Sequence, residues 1–163
     1  MITNYDGIIK CLHDDFKDMV NEEFLELIKI TDNKYCIYNN KYNFGFNHES
    51  PGHANLYITE NWSEGTNHFI NNNYYHLKKR YNNRINNFRE YLSNPDIFIT
   101  FVLTTWNKKE EDVYELNMAI EKNYPNLQYK IMLLNDPNGK EYLIKHLLDM
   151  RYNNDDKELK RLL

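Results

Sequence analysis

Residues 70–103 read INNNYYHLKKRYNNRINNFREYLSNPDIFITFVL, and this stretch decides the fold. Ile70, Tyr74, Leu77, Tyr81, Ile85, Phe88 and Leu92 recur at steps of three and four. That spacing draws one apolar stripe down a helix predicted over about 67–93. Ser93-Asn94-Pro95 stops it, because proline cannot continue a helix and restricts the residue before it. The period then changes. Ile97–Leu103 is nearly all apolar and of strand length, the pattern of a strand buried on both faces. A long amphipathic helix feeding such a strand points to layered α and β structure.

Downstream the alternation repeats. Lys108–Asn123 reads as a helix with Val113, Leu116 and Ile120 inward, and Leu127–Leu134 as a second apolar strand. Asp136-Pro137-Asn138-Gly139 is a turn, followed by a helix from about Lys140 to Met150. Upstream, Ile8, Ile9, Leu12, Phe16, Met19 and Val20 predict a helix over residues 6–20. Glu22–Ile30 either restarts a helix or enters a strand. Lys34–Tyr38 is β-branched and aromatic, Asn39-Asn40 reads as a turn, and Tyr42–His48 as the returning strand, with Phe44 and Phe46 on one face. Ser50-Pro51-Gly52 ends it, and residues 50–66 read as a loop anchored by Tyr57 and Trp62. The expectation is an α/β domain, with α+β as the variant, over residues 1–152. It has a central sheet of about four strands flanked by helices, and residues 153–163 form a C-terminal tail or short helix.

Composition narrows the function classes. A chain of 163 residues fits one domain with a sizeable core. No apolar run reaches the ~18–20 residues that span a bilayer, and no charged-then-apolar leader opens the sequence, so no membrane association is expected. Two cysteines, Cys11 and Cys36, make no disulfide framework, which fits a reducing, cytoplasmic location. The net charge of −4 argues against a protein that coats nucleic acid over its whole surface. Asparagine is the anomaly, at 26 residues. Because these residues interrupt the apolar periodicity without replacing it, they read as surface positions of a folded domain.

Few residues carry chemistry. His48, at the expected strand end, has an imidazole suited to taking and returning a proton near neutral pH. His48 and His53, with His13 or His68, are the histidines that a metal site would draw on. There is no His-x-x-x-His and no cysteine pair at ligand spacing, so no metal is expected. Cys11 lies mid-helix and Cys36 within a strand, neither the setting of an activated thiolate. Lys79, Arg80 and Arg84, with Lys78 and Arg89, cluster on the long helix among Tyr74, Tyr75 and Tyr81. They read as a solvated polar face first and as a grip for phosphates or bases second. No glycine-rich phosphate loop or nucleophile elbow occurs, and no cofactor is expected.

The order of segments carries a resemblance. An aromatic strand ends in Phe44-Gly45-Phe46-Asn47-His48-Glu49, a helix bears Lys-Arg-Tyr-Asn-Asn-Arg-Ile-Asn-Asn-Phe at 79–88, and the strand Ile97–Val102 precedes Glu110-Glu111-Asp112-Val113-Tyr114-Glu115-Leu116. Over roughly residues 5–135 this resembles a family of proposed papain-like cysteine peptidases of bacteria and large DNA viruses, whose pattern is a strand ending in His-Asp, a helix with Arg-x-x-x-Phe and a buried strand near Leu-Phe-Val-Arg. The resemblance implies a peptidase-related fold acting on a polypeptide or acyl substrate. It makes His48 the general base, oriented by Asn107 or Thr105, and would place a viral member in host cytoplasm. It also implies a nucleophilic cysteine upstream of the first helix, which this sequence does not contain. Glu49 and Leu103 stand where the family has Asp and Arg. The expectation is therefore a peptidase-related domain that is incomplete or inactive as it stands. The alternative is a non-catalytic binding module for a protein partner or, through Lys79, Arg80 and Arg84, weakly for nucleic acid.

Overall fold

A computed structural model describes residues 4–32, 34–51, 62, 64–103 and 110–133. Its elements are α1 (Tyr5–His13), β1 (Leu25–Thr31), β2 (Lys34–Asn39), β3 (Phe44–Gly45), α2 (Asn71–Ser93), β4 (Phe98–Leu103), α3 (Glu110–Asn123) and β5 (Gln128–Leu133). The mixed α/β class holds. Among the described residues the strands fall into two small sheets rather than one central sheet: antiparallel β1-β2-β3 and parallel β4-β5. The chain divides into two compact units, Met1–Asn87 and Phe88–Leu163, with the boundary inside α2. The turn at Asp136–Gly139, the last helix and the tail at 153–163 lie outside the described residues.

In the first unit α1 is shorter than its apolar spacing predicts. Asn4 caps it, its side chain accepting from the Gly7 amide. It stops at His13 although Phe16, Met19 and Val20 continue the pattern. Asp15 and Phe16 take positive φ angles of 48° and 61°. The Phe16 amide bonds the Cys11 carbonyl at 2.8 Å and the Asp15 amide bonds the Leu12 carbonyl at 2.9 Å. This is a Schellman closure without glycine, and it turns Phe16 back onto the core. Glu22–Ile30 resolves into a single 3-10 turn at Glu22–Phe24 and the strand β1. Among the described residues β1 is an edge of its sheet, with Leu27 and Ile30 exposed.

The core of this unit is aromatic. Tyr42 stacks on Phe44 at 6.0 Å, Phe44 meets Phe46 edge-on at 5.5 Å, and Phe46 meets Tyr81 edge-on at 4.7 Å. Each such pair contributes about 0.5–1.5 kcal/mol beyond its burial. Leu77 and Tyr81 of the α2 stripe join this core; Ile85, and Leu92 in the second unit, are also buried as the spacing predicts. The helix start is irregular. Asn72, Asn73 and Tyr74 are left-handed, with φ of 50°, 57° and 58°.

A buried polar knot joins α1 to the β2–β3 turn. Asn39 is fully buried; its Nδ2 donates to the Asp18 and Met19 carbonyls and its Oδ1 accepts from the Tyr42 amide. Lys41 Nζ bridges Asp14 at 2.8 Å and Asp18 at 2.6 Å, and the Tyr42 hydroxyl donates to Asp14. Here α1 lies so close to the turn that a Cβ at Gly7 would overlap the Tyr42 carbonyl oxygen.

The second unit contains a parallel β4-α3-β5 arrangement in continuous register from Phe98↔Gln128 to Leu103↔Leu133. Leu116, Ala119 and Ile120 of α3 are buried with Tyr124 and Leu127. The expectation that β4 is buried on both faces needs correction: it is half-buried along its whole length. Its partner β5 has exposed polar positions at Gln128 and Lys130, so this two-stranded ladder leaves its strands partly open to water.

Two outcomes follow. Gly7→Ala should destabilise the protein by about 2–3 kcal/mol through backbone displacement, read as a lower urea midpoint; an unchanged midpoint would mean α1 does not sit on Tyr42. Hydrogen bonds from Lys41 hold the Asp14 and Asp18 carboxyls below the ordinary value of 3.8. Their contribution is therefore complete above that value and is lost as pH falls through the lower, folded values. The Tm difference between wild type and Lys41→Met should be widest near neutrality and close as pH drops from about 4 toward 2; a gap independent of pH would show the pairing to be energetically idle.

Candidate functional site

The turn carrying His48 is built from both sides. Strand β3 ends after two residues, and Phe46 continues the pairing with its amide on the Ile37 carbonyl at 2.8 Å. The ladder then breaks into a 3-10 turn at Asn47–Glu49. So His48 stands just beyond the strand, not on it. The Ile37 amide would lack a strand partner, and the fully buried Ser50 hydroxyl supplies one, accepting from it at 2.8 Å and donating to the Phe46 carbonyl at 2.6 Å. His48 itself is exposed.

Glu49 is the buried member of the pair. Its Oε2 accepts from the Tyr81 hydroxyl at 3.1 Å, and its Oε1 faces Arg80 Nε at 3.4 Å and Arg84 Nη1 at 3.7 Å. A buried carboxylate needs such partners, because desolvating a charge is costly unless it is paired and hydrogen-bonded. Burial first, and then the Glu49 charge, push the Tyr81 hydroxyl upward, so it stays protonated and donates. Arg80 also lies over the Phe69 ring and Arg84 over the Tyr81 ring. Of the expected basic grip, Arg80 and Arg84 thus converge on Glu49, while Lys79 is exposed. Thr105 and Asn107, expected to orient His48, lie outside the described residues.

Both cysteines are buried and form no disulfide. Cys11 is buried near the C-terminal end of α1, where the helix dipole disfavours an anion. Burial, with Asp14 and Asp15 beside it against Lys41, pushes its thiol up to about 12. Cys36 is almost wholly buried in β2, and its Sγ donates to the Ile37 carbonyl at 3.3 Å.

A second cluster was not expected from spacing. Glu64, His68 and His76 each offer one ligand atom, all within 4.8 Å of one another. Of the histidines considered for a metal, only His68 takes part; His13 ends α1, His48 is on its own turn, and His53 is outside the described residues. Sequence carried a partial signal in Glu64-x-x-x-His68, one helical turn apart. The eight-residue step to His76 gave none, because the left-handed Asn72–Tyr74 segment sets where His76 falls.

Removing the acceptor tests the Glu49 network. Glu49→Ala should cost about 2–3 kcal/mol, the buried-pair value discounted for two half-exposed arginines. Glu49→Gln should recover part of it by still accepting from Tyr81. Equal stability of both variants and wild type, by denaturant titration, would show that Glu49 is not held as described.

A family model described as "Putative papain-like cysteine peptidase" matches residues 1–139. No curated protein and no solved structure matches the chain.

Proposed function

The chain belongs to the family described as "putative papain-like cysteine peptidase", and we propose that it is a peptidase-related domain whose own two thiols do no covalent chemistry. The observation that carries this reading is the state of the cysteines. Papain-type acyl transfer needs a thiolate within hydrogen-bond reach of an imidazole. Cys11 is buried, with its thiol pushed up to about 12, and Cys36 is spent on a backbone carbonyl inside a strand. A thiol that far above neutral pH is almost entirely protonated, and a protonated thiol is a poor nucleophile.

The His48 turn keeps features that suit a general base. Glu49 and Ser50 anchor the backbone that follows His48, and Ser50 ties it back to the Phe46 carbonyl, while His48 stays exposed. Such a histidine acts as base toward a polypeptide or acyl substrate only with a thiol that Cys11 and Cys36 do not supply. The alternative, a non-catalytic binding module, is supported by the same inert thiols and by the arrival of Arg80 and Arg84 at Glu49, next to His48. In that reading exposed Lys79 and these arginines meet a protein partner. Nucleic acid is the weaker choice, because Arg80 and Arg84 are drawn to Glu49, whose charge offsets one of the three.

A thiol-directed epoxide or acyl probe decides between inert and active cysteines. Native protein should show negligible labelling of Cys11 and Cys36 by mass spectrometry, both should label in denaturant, and His48→Ala should change nothing. Rapid labelling of either cysteine in the native state, abolished by His48→Ala, would overturn the proposal.

A further inference from the structure

We propose that Glu64, His68 and His76 form a binding site for a divalent transition-metal ion of the zinc class. The site is independent of the His48 turn and of the cysteines.

Three observations converge on it. The first is proximity: the three ligand atoms lie within 4.8 Å of one another. The second is unmet bonding capacity. His68 Nδ1 and Glu64 Oε2 are buried and have no hydrogen-bond partner among the described residues. Native proteins nearly always pair such atoms, and one ion would satisfy both at once. The third is the backbone. Asn72, Asn73 and Tyr74 in succession hold left-handed angles, a conformation that asparagine tolerates and tyrosine resists. This segment lies between His68 and His76 and returns the second ring onto the first, with centroids 3.8 Å apart. Strain of this kind persists where the surroundings impose it, and often marks a site.

The donor set selects the ion. Two imidazoles and one carboxylate suit zinc and its neighbours, whereas calcium and magnesium take oxygen ligands. Two histidines and a glutamate are also the zinc set that leaves a fourth position for water. The surroundings supply an outer layer. Asn72 Nδ2 donates to Glu64 Oε1 at 3.3 Å, orienting the carboxylate and leaving Oε2 for the ion. Trp62 stacks on His68, and Phe69 meets it edge-on at 4.9 Å, giving the site apolar walls. Arg80 brings the opposing charge, which Glu49, shared with Arg84, partly offsets. The two imidazoles now lie 22° from parallel. Binding therefore requires them to fan apart until a nitrogen of each stands ~2.0–2.1 Å from one ion. That is a side-chain rotation and leaves the backbone where it is. The bound ion would clip the single turn at Gly65–Asn67 to the first turns of α2.

The experiment uses the full chain, free of any histidine tag and stripped with chelator, titrated with Zn²⁺ in a calorimeter. One ion per chain is expected, with a rise in Tm. His68→Ala and His76→Ala should each weaken binding by roughly 100-fold or more, and Glu64→Gln by about 10–100-fold. His13→Ala and His48→Ala should bind as wild type. If a histidine variant fails to fold, Co²⁺ added to wild type and to Glu64→Gln decides the matter: an intense visible spectrum of tetrahedral type, altered by the glutamate change, supports the site. Absence of saturable binding overturns the proposal. So does undiminished binding by a folded His68→Ala/His76→Ala double variant, or a Co²⁺ spectrum that ignores Glu64→Gln.

Discussion

One hydroxyl group organises the first unit. The antiparallel ladder between β2 and β3 is only two residues long, and beyond it the Ile37 amide is buried with no strand opposite. Ser50 Oγ takes that place and at the same time returns a hydrogen bond to Phe46. An unmet buried donor costs about 1–3 kcal/mol, so this single oxygen decides whether the strand can end here. Where the strand ends fixes three further things. Phe46 stays in the aromatic core against Tyr81, Glu49 is delivered inward to Tyr81, Arg80 and Arg84, and His48 is left outward between them.

The same economy appears at the other end of the hairpin. Asn39 replaces backbone partners for three separate groups, and Lys41 gathers two aspartates from the segment after α1. The aromatic stack fills volume, while these polar side chains set direction. A core built from Tyr and Phe alone would tolerate several arrangements of the loops around it; buried hydrogen bonds that are either made or lost leave one.

Periodicity made the regular elements legible. The stripe from Leu77 to Leu92, the inward face of α3 and the strands β2, β4 and β5 follow from apolar spacing, because burial of one face is what the spacing encodes. The misread places share a physical cause: a polar or backbone interaction overruled the pattern. The apolar positions at 16, 19 and 20 continued the helical period, yet Asp15 and Phe16 close α1 in a left-handed turn that glycine would have announced. Asn39 looked like a turn residue and is instead a buried tie. The strand expected through His48 stops early because of a serine thirteen residues from the amide it satisfies. The Glu64–His68–His76 grouping depends on positive φ at Asn72–Tyr74, which a run of asparagines permits without requiring. The family likeness was carried by the order of motifs and is matched over residues 1–139. Thr105 and Asn107, expected to orient His48, lie outside the described residues.

Among the described residues β1 has no strand on its outer side, and that margin bears on how copies of this chain behave together. Unpaired amide and carbonyl groups along a strand invite another strand to add, and apolar Leu27 and Ile30 make this margin more adhesive. Glu26 and Lys29 interleave charge among them, and the register slips between Lys29 and Thr31, twisting the last residues out of line. A flat, uncharged margin of the same length would be a template for filaments; the interleaved charge and the irregular step both oppose such stacking.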